Sequence, residues 1–373
     1  MSAKPLYGLR LVELDAMGPV PLAAKLVADM GADVVRIGRA GLTDRAGSAD
    51  LLSNRSVVRL DLKSERGRET ALKLIADADG LLEGFRPGVM EKLGLGPQIC
   101  LSVNPRLVYV RITGWGQSGP LAPRAGHDLN YIAVTGVLHA IGAANALPPP
   151  PLNLIGDYGG GAAFAVIGFL AGILSARETG RGKVVDAAMV DGVALLSSAI
   201  HAMMNAGQWE DRPASNLLDG AAPFYRCYAC ADGRHVSVAA LEPEFFALLL
   251  DGLGIEHTRF AQRDRSGWGE MGRTFEEVFA SRPRDAWMQI FDDVDACVAP
   301  VLSFSEAKEH PHNIARSIYG GPLPAAAPRF AETACAAKAG LEIDATTALA
   351  RWSCPPGRDL APTPASSIAT DDD

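Results

Sequence analysis

The stretch Gly8-Leu-Arg-Leu-Val-Glu-Leu14 has the composition of a buried β-strand, and it opens the part of the sequence that decides the fold. From Pro19 to Met30, apolar residues recur at i, i+4 spacing, which predicts an α-helix. Gly31 follows at the position where a helix-ending glycine is favoured. The next stretch, Asp33-Val-Val-Arg-Ile37, is again typical of a strand. The first forty residues therefore predict a strand–helix–strand unit.

The same alternation continues as far as residue 112. Strands are predicted at 57–62, 80–83 and 107–112, and helices at 65–76 and 89–93. Strands that alternate with helices at this spacing are typical of a parallel sheet covered by helices. The sequence thus predicts an α/β fold with a large, doubly wound, Rossmann-like domain.

A different pattern follows a second apolar helix, which is predicted near 186–205. Residues 224–238 have the pattern of a β-hairpin that turns at Asp232-Gly233. Three further helices are predicted, at about 244–253, 275–280 and 284–292. A hairpin combined with helices indicates a smaller α+β domain.

Composition excludes several classes of function. The chain has 373 residues, and 35 Lys and Arg against 43 Asp and Glu give it a net charge of −8. An acidic protein has no general electrostatic attraction to nucleic acid or to an anionic membrane, so we expect neither as a partner. The uncharged segment 159–176 reaches the minimum length of a membrane span, but its glycines favour a helix buried in a core or a subunit interface. Six scattered cysteines and no secretory segment after the start indicate a cytoplasmic protein.

Sequence motifs for metals, phosphates and nucleophiles give little support to the corresponding functions. Cys227-x-x-Cys230 falls in a predicted strand, where residues i and i+3 point to opposite faces. His310-Pro-His312 has no further ligand pattern. The sequence contains no P-loop, no glycine-rich dinucleotide loop after the first strand and no G-x-S-x-G elbow. A nicotinamide enzyme, an ATPase and a serine hydrolase are therefore disfavoured.

Acid/base residues stand in three loop-like segments. They occur in Gly126-His127-Asp128-Leu129-Asn130-Tyr131, in Asn153-Leu-Ile-Gly-Asp157 and in Leu241-Glu242-Pro243. A carboxylate on a glycine-flanked loop is well placed for catalysis, because glycine lets a ligand approach the backbone. From position alone, Asp128 and Asp157 are more simply explained as caps of the helices that follow them.

These loops, together with other motifs, resemble the α-methylacyl-CoA racemase branch of the family III CoA-transferases. The resemblance runs from about Gly8 to Asn313. The motifs that carry it are Val35-Arg-Ile-Gly-Arg39, Leu60-Asp-Leu-Lys63, Glu83-Gly-Phe-Arg-Pro-Gly88, Thr113-Gly-Trp-Gly-Gln-Ser-Gly-Pro120, Gly126-His-Asp-Leu-Asn-Tyr131, Leu152-Asn-Leu-Ile-Gly-Asp157, Leu218-Asp-Gly-Ala-Ala-Pro-Phe-Tyr225, Leu241-Glu-Pro-Glu-Phe-Phe246 and Cys297-Val-Ala-Pro-Val301.

The resemblance implies the family III CoA-transferase fold, in which a large CoA-binding domain and a smaller domain form an interlocked homodimer. Together with the change of pattern above, it predicts a domain organisation. The predicted segments are a large domain at 1–186, linker helices at 187–223, a small domain at 224–303, a return to the large domain at 304–360 and a loose tail at 361–373.

The resemblance also implies inversion of the carbon next to a thioester carbonyl, which interconverts (2R)- and (2S)-2-methylacyl-CoA. One group removes a proton from one face and another returns a proton to the opposite face, with an enolate in between. By resemblance, His127 and Asp157 are these two groups, and Glu242 hydrogen-bonds His127 to fix its tautomer. No metal or redox cofactor is expected, and coenzyme A is part of the substrate.

Further residues are implied in substrate binding. Around the thioester, the resemblance implies Gly126, Asp128, Leu129, Asn130, Tyr131, Asn153 and Tyr225. For the adenosine and phosphate end of CoA, it implies Arg39, Leu60, Asp61, Leu62, Lys63, Gly84, Arg86 and Lys92. The basic members of this second set would supply positive charge that the chain as a whole lacks.

Two other functions stay open at this stage. In a CoA-transferase of the same fold, an aspartate at the position of Asp128 would attack the acyl-CoA and carry the acyl group covalently. The preceding His127, and a segment Leu218-Asp-Gly-Ala-Ala-Pro223 that lacks the run of glycines typical of transferases, favour the racemase. A catalytically silent acyl-CoA-binding protein is disfavoured because all three acid/base residues are present.

Overall fold

The strand–helix alternation predicted from the sequence is present in the computed structural model. The structure describes residues 4–41, 52–321, 323–331 and 340–353. The strands are β1 (Arg10–Leu14), β2 (Asp33–Arg39), β3 (Arg55–Leu60), β4 (Gly80–Glu83), β5 (Val108–Thr113), β6 (Lys183–Ala188), β7 (Tyr225–Ala229), β8 (His235–Ala239), β9 (Val298–Val301) and β10 (Leu341–Glu342).

The helices connect these strands. The α-helices are α1 (Pro19–Asp29), α2 (Glu65–Ala76), α3 (Val89–Lys92), α4 (Pro97–Val103), α5 (Asp128–Val134), α6 (Val137–Ile141), α7 (Phe164–Thr179), α8 (Met189–Leu196), α9 (Ser198–Asn205), α10 (Pro243–Leu253), α11 (Trp268–Phe279), α12 (Arg284–Ile290), α13 (Phe304–Glu309), α14 (Pro311–Ala315) and α15 (Ala345–Ser353). Leu154–Ala163 is a π-helix, and His257–Arg259 and Arg265–Gly267 are short 3₁₀ helices.

The main sheet has the strand order β10-β3-β2-β1-β4-β5-β6. The pairs β1–β2, β1–β4, β2–β3, β3–β10 and β4–β5 are all parallel. Strands β1 and β5 are buried along their whole length, because helices cover both faces of the sheet. The predicted α/β class with a mostly parallel sheet is confirmed.

Residues 340–353 pack against this sheet. Strand β10 pairs with β3, and the side chain of Trp352 on α15 is only 1% exposed. The Trp352 Nε1–H donates to Oδ2 of Asp33 at 2.9 Å, so the buried indole keeps its hydrogen bond. The tail predicted at 361–373 lies outside the described residues.

The apolar segment predicted at 159–176 is a continuous helix formed by the π-helix and α7. Within the described residues it is the one helix that is long and apolar enough to cross a membrane, and half of its most apolar part is buried. A Cβ at Gly172 would lie 2.6 Å from Cγ1 of Val108 on β5. The helix therefore packs closely on the sheet, which favours the interpretation as a core helix.

The second sheet, in the order β7-β8-β9, is antiparallel. The predicted hairpin is confirmed, with Gly233 in its turn at a φ of 74°, where glycine is favoured. Cys227 in β7 is exposed, Cys230 directly after the strand is buried, and both are free thiols. The sequence does not predict β9, because Pro300 lies within it. Proline is tolerated there because the strand is at the edge of the sheet.

The chain divides into two compact units. The first comprises Met1–Ile112, Ala165–Asp186 and Ala326–Asp373, and the second comprises Thr113–Phe164 and Ala187–Ala325. The first unit contains β1–β4, β5 as far as Ile112, and β10, and the second contains the antiparallel sheet, α5, α6 and the π-helix. The domain boundaries predicted from the sequence remain predictions.

Candidate active site

The loop that carries His127 ends where α5 begins. His127 is the residue that caps this helix, with an extended backbone and an exposed side chain. Its backbone N–H donates to Oδ1 of Asn130 at 3.1 Å, and its carbonyl accepts from the Asn130 N–H at 2.8 Å. These bonds fix the start of the helix and leave the imidazole accessible to a substrate. Leu129, the second residue of the helix, is 41% exposed.

Tyr131 anchors the same loop from inside the unit. It is 7% exposed, its hydroxyl donates to the carbonyl of Gly126, and its ring lies edge-on to Trp115 with centroids 4.8 Å apart. A Cβ at Gly126 would lie 2.7 Å from Cε1 of Tyr131 and 2.9 Å from Cζ2 of Trp115, so only glycine fits there. The sequence gives no signal for a role of Trp115, because its contact with Tyr131 is visible only in the fold.

Asp128 links the two predicted acid/base residues. It is the first residue of α5 and is 5% exposed, and its Oδ2 accepts the backbone N–H of Asp157 at 2.6 Å. A Cβ at Gly156 would lie 2.8 Å from that oxygen, so the glycine permits the close approach. The hydrogen bond joins segments 29 residues apart in the sequence. It brings the backbone of Asp157 against the residue that follows His127.

Asp157 lies in the first turn of the π-helix, a helix type that is frequent at functional sites. The residue is half-buried, and its Oδ2 accepts from Nδ2 of Asn153 at 3.3 Å. Burial raises the pKa of Asp157 above its ordinary value, the Asn153 hydrogen bond lowers this pKa, and the charges of Asp128 and His127 raise and lower it respectively. A carboxyl group with a raised pKa beside an accessible histidine can both take and give a proton.

Two further predicted residues lie near the antiparallel sheet. Glu242 caps α10 and is exposed. Tyr225 begins β7, is half-buried, and its backbone N–H donates to the carbonyl of Ala222 at 2.9 Å. Among the described residues of a single chain, Glu242 and His127 form no hydrogen bond, so their contact stays a prediction.

Most residues predicted to bind CoA lie at one edge of the main sheet. Arg39 and Leu60 are the last residues of β2 and β3 and are register partners, and Gly84 follows the end of β4. Because these strands are parallel, their carboxyl ends meet at one edge, where open α/β sheets bind ligands. After β3, the chain makes an exposed turn in which the Lys63 N–H donates to Oδ1 of Asp61 at 3.0 Å.

The bases of this set are accessible. Arg39, Lys63, Arg86 and Lys92 are all exposed, and none forms a salt bridge with another described residue. Leu62 is half-buried in the turn after β3. Unpaired guanidinium and ammonium groups can bind phosphate without first losing a carboxylate partner.

An ion-pair cluster that the sequence does not predict lies at the start of the Gly84–Arg86 loop. Glu83 is fully buried, with Oε1 accepting from Nε of Arg111 at 2.9 Å and Oε2 accepting from the Phe85 N–H at 2.7 Å. Arg111 also binds Glu91 at 2.8 Å. Burial raises the pKa of Glu83 to about 7. The cluster fixes the start of the loop, and its glutamate is closed to substrate.

A second buried cluster joins the first three strands. Glu13 on β1 is fully buried and accepts N–H groups from Arg36 on β2 and, at 2.8 Å, from Arg55 on β3. Two arginines thus share one glutamate inside the sheet. The sequence gives no signal for this cluster, because the charged residues stand in strands that read as apolar runs.

A cavity of about 570 Å³ in the second unit is distinct from the acid/base residues. Its lining includes Arg212, Arg226 and Arg265, and none of the predicted catalytic residues belongs to it. Arg212 and Arg265 face Glu210 at 3.0 and 3.6 Å, and Arg226 binds Glu276. Its positive charge is largely neutralised, so the cavity does not compete as the candidate site.

Comparison with known proteins agrees with the geometry. Residues 6–357 match the family described as CoA-transferase family III. The chain is 45% identical to α-methylacyl-CoA racemase of Mus musculus over 327 residues, covering 87% of this chain and 85% of the mouse protein. It is 44% identical to α-methylacyl-CoA racemase of Homo sapiens over 315 residues, covering 84% and 82% of the two chains.

A solved structure shows the same fold. A CAIB/BAIF family protein from Brucella suis matches with a TM-score of 0.78 at 22% identity, covering 94% of this chain and 99% of that chain. The match extends over both units of the chain.

Proposed function

The chain belongs to the family III CoA-transferases, and on that premise we propose that it is a racemase that interconverts (2R)- and (2S)-2-methylacyl-CoA thioesters. The observation that carries this proposal is the hydrogen bond from the Asp157 N–H to Asp128, which brings Asp157 next to the residue that follows His127. The similarity to two α-methylacyl-CoA racemases over most of both chains supports it.

The reaction needs two proton transfers at one carbon. A base takes the C2 proton, the C–H electron pair moves into the C1–C2 bond, and the thioester oxygen becomes an enolate oxygen. The second group then gives a proton to the opposite face of C2, and the carbonyl re-forms. In our proposal His127 serves one face and Asp157 the other, and they exchange roles with the direction of reaction. The product differs from the substrate only in configuration, so no metal or redox cofactor is consumed.

The site is completed, in our proposal, by a second copy of the chain. His127 and Glu242 are both exposed and unbonded to each other within one chain. Helices α7 and α8 also carry large apolar side chains that are exposed, namely Ile167 and Leu174 on α7 and Leu195 and Leu196 on α8. Exposed apolar surface of this kind marks an interaction site. A homodimer would cover these side chains and supply Glu242 as the partner of His127.

Coenzyme A is proposed to bind at the carboxyl edge of the main sheet as part of the substrate. The unpaired bases Arg39, Lys63, Arg86 and Lys92 would contact its phosphates, and Asn153 and Tyr225 would hydrogen-bond near the thioester. We propose a cytoplasmic enzyme without nucleic-acid or membrane partners, consistent with the net charge of −8.

The transferase alternative with Asp128 as nucleophile is disfavoured by the geometry. A nucleophilic carboxylate must reach the carbonyl carbon of the thioester. Asp128 is 5% exposed, and its Oδ2 is already occupied by the Asp157 N–H. Its other oxygen, Oδ1, has no partner among the described residues but is buried, so the Asp128 carboxylate would have to move before it could reach a thioester.

The experiment that separates the two functions uses a single stereoisomer. Purified protein is incubated with (2R)-2-methylacyl-CoA and a free carboxylic acid, and the products are resolved by chiral chromatography. We expect the (2S)-thioester to form without transfer of CoA to the free acid. Formation of the new CoA ester with retained configuration would instead establish the transferase.

A further inference from the structure

The side chain of Asp128 has a contact that neither proton-transfer role explains. Its Oδ2 accepts the backbone N–H of Asp157 at 2.6 Å, while its Oδ1 is buried and has no hydrogen-bond partner among the described residues. No described lysine or arginine forms a salt bridge with it. A buried carboxylate without a cation is costly, so its retention at this point requires a reason.

The contact is built from both sides. Asp128 stands at the start of α5, where its side chain contacts the backbone N–H of Asp157. The residue before Asp157 is Gly156, and a Cβ there would lie 2.8 Å from Oδ2 and 2.9 Å from Cγ of Asp128. Any larger residue at Gly156 would displace the carboxylate, so the hydrogen bond between Asp128 and the Asp157 N–H requires glycine at position 156.

Few other charged groups act on Asp157. Helices α5 and α8 pack against the π-helix. The α5 segment contributes His127 and Asp128. The titratable residue of α8 is Asp191, which is exposed and does not contribute to the shift at Asp157. The π-helix itself contributes Tyr158, which is half-buried and likewise makes no contribution.

We propose that Asp128 is a positioning residue that acts through Asp157: its carboxylate fixes the backbone of residue 157 and holds a second negative charge beside the reacting carboxyl group. The fixed backbone orients the Asp157 side chain toward one face of the substrate. The second charge opposes ionisation of Asp157, which keeps the group able to return a proton as well as to take one. This inference rests on the proposed function.

The test compares variants that separate charge from geometry. Asp128→Asn keeps an oxygen that can accept the Asp157 N–H and removes the charge, whereas Asp128→Ala removes both. Since Asp157 must be ionised to take a proton, the acid limb of the kcat/KM profile should move to lower pH in Asp128→Asn. In Asp128→Ala, kcat should fall by roughly 10- to 100-fold with little change in KM, because misplacement of a reacting group has effects of this order.

Two further variants complete the series. Gly156→Ala keeps the charge but pushes the carboxylate away, so kcat should fall while the acid limb moves less than in Asp128→Asn. Asp191→Asn removes an exposed carboxylate from α8 and should leave both kcat and the pH profile unchanged. Thermal unfolding of each variant shows whether it is folded. If Asp128→Ala does not fold, the pH profile of Asp128→Asn alone tests whether Asp128 acts through Asp157.

A readout independent of activity separates this inference from the proposed function. The carboxyl signal of Asp157 can be followed by ¹³C NMR during a pH titration of the dimer or monomer as purified, with Asp157→Asn to assign it. The Asp157 midpoint should lie at lower pH in Asp128→Asn than in wild type. An unchanged midpoint, or a fall in kcat without any movement of the acid limb, would show that Asp128 is only structural.

Discussion

Glu83 and Asp157 are two carboxyl groups whose pKa values are both raised by burial, yet their surroundings differ. Glu83 is fully buried between Arg111 and the N–H of Phe85. Asp157 is half-buried, accepts an N–H from Asn153 and has no salt bridge with any described lysine or arginine. The first group is closed to substrate, and the second is open beside an exposed histidine.

The comparison shows that a raised pKa alone does not identify a catalytic acid. In the parallel sheet, the acids of β1 and β4 hold arginines and thereby join strands and loops. In the candidate site, the neighbours of Asp157 are an amide, a histidine and a second carboxylate, which leave the group free to exchange a proton. Accessibility and the identity of the partner therefore decide the role.

The largest expected effect comes from removing the proton-transfer groups. Asp157→Asn and His127→Ala should each lower the epimerisation rate by about 10² to 10⁴, the range over which a general acid or base contributes. Urea unfolding should show little loss of stability, because neither side chain forms a salt bridge with a described residue. Retention of more than a tenth of the wild-type rate would remove that residue from the mechanism.

Glu13→Ala tests whether the buried carboxylates of the parallel sheet stabilise the fold. The substitution leaves Arg36 and Arg55 buried without their shared glutamate, and breaking a buried pair in this way costs about 3–5 kcal/mol of unfolding free energy. Glu342→Ala is the matched control, because Glu342 binds Arg59 at 3.4 Å but is 63% exposed. Its effect should stay within about 0.5 kcal/mol. Equal losses of unfolding free energy in Glu13→Ala and Glu342→Ala would contradict the distinction between the buried and the exposed carboxylate.

Glu83→Gln should flatten the pH dependence of stability. The pKa of Glu83 is about 7 in the folded chain, against an ordinary value of 4.5, so the folded state binds this proton more tightly than the unfolded state. The contribution of Glu83 to stability is therefore full below pH 4.5 and is lost as the pH rises through about 7. Urea unfolding across this range should show the decline in wild type and a smaller one in Glu83→Gln, with kcat retained. An identical pH dependence of the unfolding free energy in wild type and Glu83→Gln would show that the decline does not come from Glu83.

The smallest effect is expected for Asn153→Ala. Its amide hydrogen bond lowers the pKa of Asp157, so its removal should raise this pKa and move the acid limb of the kcat/KM profile to higher pH. This direction is opposite to the one expected for Asp128→Asn. A shift of both variants in the same direction would mean that the profile does not report Asp157.

Much of the fold is predictable because local pattern and tertiary position agree. Helix α2, predicted at 65–76, is observed at Glu65–Ala76, where Ser64 caps a helix with a regular apolar face. Strand β9 escapes prediction because Pro300 argues against a strand unless its edge position is known. Helix α4 begins at Pro97, directly after Gly96, and this Gly-Pro pair also marks loops, so the helix is missed for that reason.

The candidate site is predictable in its residue types but not in its connections. His127 and Asp157 are identified through a resemblance, and the family that it names is confirmed. The Asp128 hydrogen bond spans 29 residues and depends on a π-helix, which leaves no periodic signal in the sequence. The shared glutamate between Arg36 and Arg55 depends on strand register, which becomes known only from the sheet.

The central claim is that His127 and Asp157 serve opposite faces of the same carbon. The most direct test is deuterium incorporation at C2 of each 2-methylacyl-CoA stereoisomer in deuterated buffer, with wild type, His127→Ala and Asp157→Asn. Wild type should exchange C2 of both stereoisomers, and each variant should retain slow exchange of only one, the opposite one in each case. Loss of exchange at the same stereoisomer in both variants, or undiminished exchange of both stereoisomers in either variant, would contradict this claim.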